Sequence, residues 1–135
     1  MPNLMTMTND EIVQHLLALV IAEQNDTFRK AIGLGAIWRG KLLAGRAVST
    51  PGFRALPQQT QDAIIKAVIG FDTFTEDNDP YGEHDFGIVE ADGRRVFWKI
   101  DLYDTEYRFG ADMAEVARDP AQCRRVLTLY LPSEH

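Results

Sequence analysis

Nine consecutive residues, Asp77-Asn78-Asp79-Pro80-Tyr81-Gly82-Glu83-His84-Asp85, carry five ionisable side chains. Carboxylates at Asp77, Asp79 and Glu83 are the hard oxygen ligands that Ca²⁺ or Mg²⁺ prefer, and His84 extends the set toward Mn²⁺ or Zn²⁺. The calcium-loop pattern is broken, however. Tyr81 stands where a third acidic ligand belongs, and Ile88 takes the place of the bidentate Glu. The competing reading is a turn, in which Asp and Asn bond their own backbone while Pro80 and Gly82 shape the chain. His84 beside Asp85 also has the makings of an oriented general base. Cys123 becomes a nucleophile only if the fold brings it there, and otherwise packs as a small hydrophobe.

Two further segments invite a chemical reading. Gly35 to Lys41 fits the first seven positions of a phosphate-binding loop, yet Leu42 replaces the Ser or Thr that would hold Mg²⁺, and Ile37 and Trp38 crowd the loop. A glycine-rich connection with Trp38 packed into the core is the better expectation. From Trp98 to Asp104 apolar residues alternate with polar or aromatic ones. If Val96, Trp98 and Ile100 face the core, then Phe97, Lys99, Asp101 and Tyr103 form an aromatic and charged outer face. Such a face can stack bases or hold a protein partner, or simply carry solvated residues paired across strands.

The elements that must position these groups are visible in outline. Thr8 and Glu11 have capping-box spacing and open a helix from about Asn9 to the neighbourhood of Lys30, ended by Gly33 and Gly35. Its wide apolar face predicts deep burial. Lys41 to Ser49 holds one or two short strands broken at Gly45, Pro51-Gly52 is a turn, and Pro57 starts a second helix that stops at Gly70. Asp85 to Ala91 and Arg94 to Tyr103 form a hairpin about Asp92-Gly93, the preferred pair for a two-residue turn. A short helix over 113–118, a turn at Asp119-Pro120 and a closing strand over 126–131 complete an α+β domain. Two main helices pack on one face of a small antiparallel sheet. One domain spans 1–135, with 1–7 and 133–135 expected to be flexible.

Charge divides the chain. The 135 residues carry a net charge of −6. Thr27 to Arg54 contains Arg29, Lys30, Arg39, Lys41, Arg46 and Arg54 and no acid, whereas Phe71 to Gly93 contains eight acids and no Lys or Arg. The acidic total argues against nucleic-acid binding over the whole surface, leaving only the Arg29 to Arg54 block for it. A single cysteine excludes an internal disulfide framework and a four-cysteine zinc site. The most apolar stretch, Ile12 to Ala22, is interrupted by Gln14 and His15 and falls short of the roughly 20 residues that span a bilayer. With no basic signal-peptide start, the expectation is a soluble, cytoplasmic protein with no membrane partner.

Several segments together resemble a known family. Phe71-Asp72 with Phe74, the run Asp77 to Gly87, Trp98-Lys99-Ile100-Asp101 with Tyr103-Asp104, and the ending Arg125-Val126-Leu127-Thr128 through Glu134 are similar to the small bacterial family catalogued as domain of unknown function 3768. Thr50-Pro51-Gly52 with Leu56, and Asn25-Asp26 with Phe28-Arg29, fit as well. The resemblance is weakest over 31–44 and 111–118. It transfers no activity. It implies an accessory protein of plasmids and other mobile elements, with a role in maintenance, transfer or evasion of host defences.

The leading expectation is a non-catalytic interaction protein that counters or modulates a host defence or DNA-processing protein. Its contact residues would be Asp77, Asn78, Asp79, Tyr81, Glu83, His84 and Asp85 of the acidic loop, with Trp98, Lys99, Asp101, Tyr103 and Asp104 of the adjoining strand. The partner would be an unidentified protein with a basic surface. No cofactor is required. The alternative is a metal-assisted hydrolase in which Asp77, Asp79 and Glu83 hold a divalent cation, His84 handles protons and Lys99 stabilises negative charge. Nucleic-acid binding through Arg29 to Arg54 ranks third.

Overall fold

The structure, a computed structural model, describes residues 4–32 and 34–135. Helix α1 spans Asn9–Lys30, and the Glu11 N–H donates to the Thr8 hydroxyl as the capping spacing predicts. The helix stops before the glycines, capped by Ala31; Gly33 lies outside the described residues. Its burial departs from the expected wide apolar face. Val13, Leu16 and Leu19 are 51%, 53% and 52% exposed, and no residue of α1 before Ala18 is buried. Only the second half of α1 packs into the core, and there the polar Gln24, Asn25 and Arg29 are buried with Phe28.

Residues 36–43 form a hairpin of β1 (Ala36–Trp38) and β2 (Lys41–Leu43), turning at Arg39-Gly40, both at positive φ. This two-residue turn, not a phosphate cradle, is what the glycine-rich segment builds. Trp38 points inward and its indole N–H donates to Glu23 at 2.8 Å.

The main sheet contains β3 (Gly45–Ser49), β4 (Phe86–Ala91), β5 (Arg94–Tyr103) and β6 (Arg124–Tyr130) in the order β3-β6-β5-β4. Asp92 and Gly93, both at positive φ, make the β4–β5 turn. The fold is α+β, but the sheet is mixed rather than antiparallel. β3 runs parallel to β6, from Gly45 opposite Arg125 to Ser49 opposite Leu129. Gly45 is required there, because a Cβ would overlap the Arg125 carbonyl oxygen.

Pro51-Gly52, expected as a turn, opens the short helix α2 (Pro51–Arg54); α3 (Gln58–Ile69) follows Pro57 and is capped by Gly70. Helix α4 (Met113–Arg118) starts on the Asp112 carboxylate. Val96, Trp98 and Ile100 point into the main core with Phe28, Phe53, Ile64, Val68, Leu127 and Leu129, so the alternation read in β5 holds. Cys123 packs with Ile21 and Val116 in a second cluster.

Pro132–Glu134 form a closing 3₁₀ turn. Glu134 accepts hydrogen bonds from the Thr50 hydroxyl and the Gly52 and Leu131 N–H groups. Of the N-terminal segment, residues 4–6 form a 3₁₀ turn, and residues 1–3 lie outside the described residues. No helix among the described residues is long and apolar enough to cross a membrane.

Candidate functional site

The acidic loop leaves α3 at Gly70 and reaches β4 at Phe86. Its first turn is closed by Asn78, whose side chain accepts the Thr75 N–H at 2.8 Å and donates to the Thr73 carbonyl at 2.9 Å. Its second is closed by Asp79, a buried carboxylate that accepts the N–H groups of Glu83 at 3.2 Å and His84 at 3.3 Å. These are the backbone-directed bonds that Asx side chains make in turns. Asn78 and Asp79, expected as contact residues, are therefore largely occupied in holding the loop.

Positive φ at Gly82 and His84 turns the His84 ring back onto α1. Its Nδ1 lies 2.9 Å from an Asp26 carboxylate oxygen, its Nε2 lies 3.7 Å from Asp79, and its face stacks on Phe74 with centroids 3.7 Å apart. The orienting acid is thus Asp26, not the adjacent Asp85. Asp26 was missed because it is 58 residues away in sequence. Its place in the resemblance, beside Phe28-Arg29, was the only available hint.

Arg29 completes the junction. Its guanidinium pairs with Asp26 at 2.8 Å, donates to the Val68 carbonyl at 3.1 Å and the Phe71 carbonyl at 2.8 Å, and lies 5.0 Å from the Trp98 ring centroid. One buried cation thereby ties α1, the end of α3 and the loop. Beside it, Asn25 donates to the Glu83 carbonyl and accepts from Arg125, which also donates to Gln24. Burial draws the Arg125 guanidinium down to about 10, so it remains charged at neutral pH.

The remaining acids of the block repel one another. Burial, then the neighbouring Asp85 and Asp79, pushes the Glu83 carboxyl above its ordinary range. Burial, then Asp79, with a smaller contribution from Asp101, does the same to Asp85. A raised folded-state value favours the protonated acid, so this contribution to stability is present at low pH and lost as pH rises through that value. Glu83→Gln is accordingly expected to raise the melting temperature at pH 7. The gain should vanish by about pH 3, where both states of the parent are protonated. Melting curves across that range check it.

The expected metal set does not assemble. Among the described residues no group of three or more His, Cys, Asp or Glu is placed to hold a metal ion. The Asp79 oxygens face backbone N–H groups, and Asp77 is exposed on the outer side of its turn. Asp77, Asp79, Glu83 and His84 are neighbours in sequence without being a ligand shell. Cys123 lies in the second core cluster, where burial raises its thiol, whereas the partners of His84 are Asp26, Asp79 and Phe74.

The adjoining strand divides by its alternation. Trp98 is 0% exposed and belongs to the core, so it is no contact residue. Lys99, Asp101 and Tyr103 point to the opposite, outer face of the sheet, with Lys99 3.4 Å from Asp101. Asp104 caps the following turn by accepting the Glu106 and Arg108 N–H groups, which lower its carboxyl below the ordinary value. The loop and the outer residues of the strand thus lie on different faces.

The basic block is dispersed. Arg29 is buried, Arg39 pairs with Glu23, Lys41 with Asp119, Arg46 lies over the Tyr107 ring, and Arg54 donates to the Ser49 carbonyl. Most of the block's cations are thus engaged within the fold, and Lys30 is exposed.

Between α1 and the loop runs a groove of about 980 Å³, lined by His15, Ala18 and Leu19 on one side and by Phe74, Pro80, Tyr81 and His84 among the loop residues. Tyr81 stands on its rim, 81% exposed.

No curated protein and no solved structure matches the chain. A family model described as Protein of unknown function (DUF3768) matches residues 49–134, which include the whole loop and strands β4 to β6. Gln24, Asn25, Asp26 and Arg29 precede that segment and bond to it from α1. Over nearly two-thirds of its length the chain carries that pattern, and it belongs to the DUF3768 family of proteins of unknown function.

Proposed function

We propose that the chain is a non-catalytic interaction protein that presents the loop 73–84 to a protein partner with a basic surface. The observation that carries this reading is Tyr81, a large aromatic left exposed at the tip of a loop that is otherwise pinned by Asn78, Asp79 and the Asp26–His84 contact. A loop already held in place loses little entropy on binding. An exposed tyrosine flanked by carboxylates is suited to Arg or Lys side chains, through cation–π contact and charge complementarity. Asp77 and Tyr81 are the loop's contact groups in this proposal, and Asn78, Asp79 and His84 hold them in position. In the mobile-element setting that the resemblance implies, the partner is a host defence or DNA-processing protein.

A photo-cross-linking side chain at position 81 tests the proposal in host cells. One protein should be cross-linked from that position, and Asp77→Lys should abolish the product while leaving the melting curve unchanged. Equal cross-linking with Asp77→Lys, or a product no stronger than from a site on the outer sheet face, counts against it.

A further inference from the structure

Strand β4 is an open edge of the main sheet. The Asp85 carbonyl accepts the Ile100 N–H at 2.8 Å, and the β4–β5 register then runs without a bulge from Phe86 opposite Lys99 to Ala91 opposite Arg94. Bonded and unbonded residues alternate in an antiparallel pair, so Gly87, Val89 and Ala91 turn their N–H and C=O groups toward β5. Phe86, Ile88 and Glu90 turn theirs outward, where no described residue meets them. Natural edges are blunted by Lys, Pro or a bulge, and β4 has none of these. The opposite edge, β3, is partly closed by the Arg54 guanidinium on the Ser49 carbonyl.

The two ends of β4 carry opposite charge that the fold leaves unpaired. At its start, Glu83 and Asp85 form no ion pair among the described residues, and burial with neighbouring acids raises both carboxyls. At its end, across the Asp92-Gly93 turn, Arg94 is exposed and meets no acceptor or ring among the described residues. The helix beside the edge leaves room for an approach. Gln61 of α3 faces α2 through the Arg54 and Leu56 carbonyls, and α2 lies on the β6 side. At about 100° per residue, the small Ala63 and Ala67 fall on the opposite flank of α3.

We propose that β4 pairs with β4 of a second copy of the chain, antiparallel about a two-fold axis at Ile88, so that two sheets become one. This register sets Ile88 opposite Ile88 and Phe86 opposite Glu90 of the second copy, and every outward N–H meets an outward C=O. A register centred on Glu90 would instead oppose like charges. On the outer face Phe97, Ile88 and their copies form one apolar row. On the helix side Asp85 falls opposite Ala91 of the second copy. Arg94, the cross-strand neighbour of that alanine, reaches over its small side chain to Asp85. The acidic start of each strand thus meets the basic end of the other, and symmetry repeats the contact. That reciprocity favours a second copy over an unrelated strand.

Sedimentation equilibrium at concentrations up to about 200 μM should show a parent dimer. Ile88→Pro removes only an outward N–H and leaves the β4–β5 bonds in place. It should weaken the dimer about tenfold or more with the melting curve retained. Ile88→Lys, which opposes like charges at the axis, repeats the test if the proline variant does not fold. Arg94→Glu should weaken the dimer likewise, and adding Asp85→Lys should restore it to within about threefold of the parent. Mild oxidation should link Ile88→Cys chains, with Cα atoms about 5.5 Å apart across the axis. It should not link Glu90→Cys chains, offset by about 14 Å along the strands. Cys123 is buried and common to both.

A monomeric parent at the highest concentration, or a dimer that survives both Ile88→Pro and Ile88→Lys, overturns the proposal. So does equal linking through positions 88 and 90, or an Arg94→Glu defect that Asp85→Lys does not repair.

Discussion

Arg29→Met is expected to cost about 3–5 kcal/mol of folding stability, the range for removing one partner of a buried ion pair. The guanidinium makes three directional contacts, with Asp26 and the carbonyls of Val68 and Phe71, and it packs against the Trp98 and Phe74 rings. Methionine keeps much of the volume but takes the guanidinium donor from the Phe71 carbonyl, leaving the Val68 carbonyl with backbone N–H groups alone and Asp26 with His84 alone. Arg29→Lys should recover only part of the loss, because an ammonium cannot reproduce the planar fork. Urea unfolding followed by circular dichroism measures both. A loss below about 1 kcal/mol would mean that Asp26 and the carbonyls are hydrated in the parent, and that the junction is not dry. The same substitution should lower the cross-linking from position 81, since it loosens Asp26 and with it the His84 contact that holds the loop.

The second large effect is steric. Gly87 lies opposite Trp98 in the β4–β5 pair, and a Cβ on it would come within 2.6 Å of Trp98 Cε2 and 2.7 Å of Cζ2. The indole has nowhere to move. It is fully buried, edge-on to Phe71 at 5.5 Å and Phe74 at 6.3 Å, with Arg29 against its face. Gly87→Ala should therefore destabilise by about 3 kcal/mol, at the upper end for overpacking a filled core. Adding Trp98→Phe removes the clashing atoms, so the double variant should be more stable than the sum of the two single losses allows. Simple additivity would place the strain elsewhere in β4.

What could be read from the sequence, and what could not, follows the distance between interacting residues. The Thr8 cap, the Asp92-Gly93 turn and the inward alternation of Val96, Trp98 and Ile100 are local, and their chemistry is written in neighbouring positions. The parallel pairing of β3 with β6 and the Asp26–His84 contact join residues far apart, and no spacing announces them. Helix α1 misleads for a different reason. Its apolar residues Ile12, Val13, Leu16, Leu19 and Val20 look like a core face, while Gln24, Asn25 and Arg29 look like a solvent face. The structure leaves Val13, Leu16 and Leu19 half exposed and buries Gln24, Asn25 and Arg29 beside Ile21 and Phe28, because these polar residues are needed as partners for Arg125 and for carbonyls of α3 and the loop. The metal expectation failed because Asp79 turns inward to its own backbone, a choice that carboxylate spacing alone leaves open.

The parallel pairing of β3 with β6 also governs when the molecule can finish folding. Gly45–Ser49 must wait for Arg125–Leu129, and helices α2 to α4, the acidic loop and the β4–β5 hairpin all lie between them. During synthesis β3 stays an unpaired strand until residues 125–129 have emerged. Closing so long a loop delays the reward of its contacts and places the domain among slower folders of its size. Until then, the hairpin lacks β6 on one side, and its apolar residues Val96, Trp98 and Ile100 are incompletely covered. The interval before β6 arrives is therefore the period of greatest exposure to misassociation.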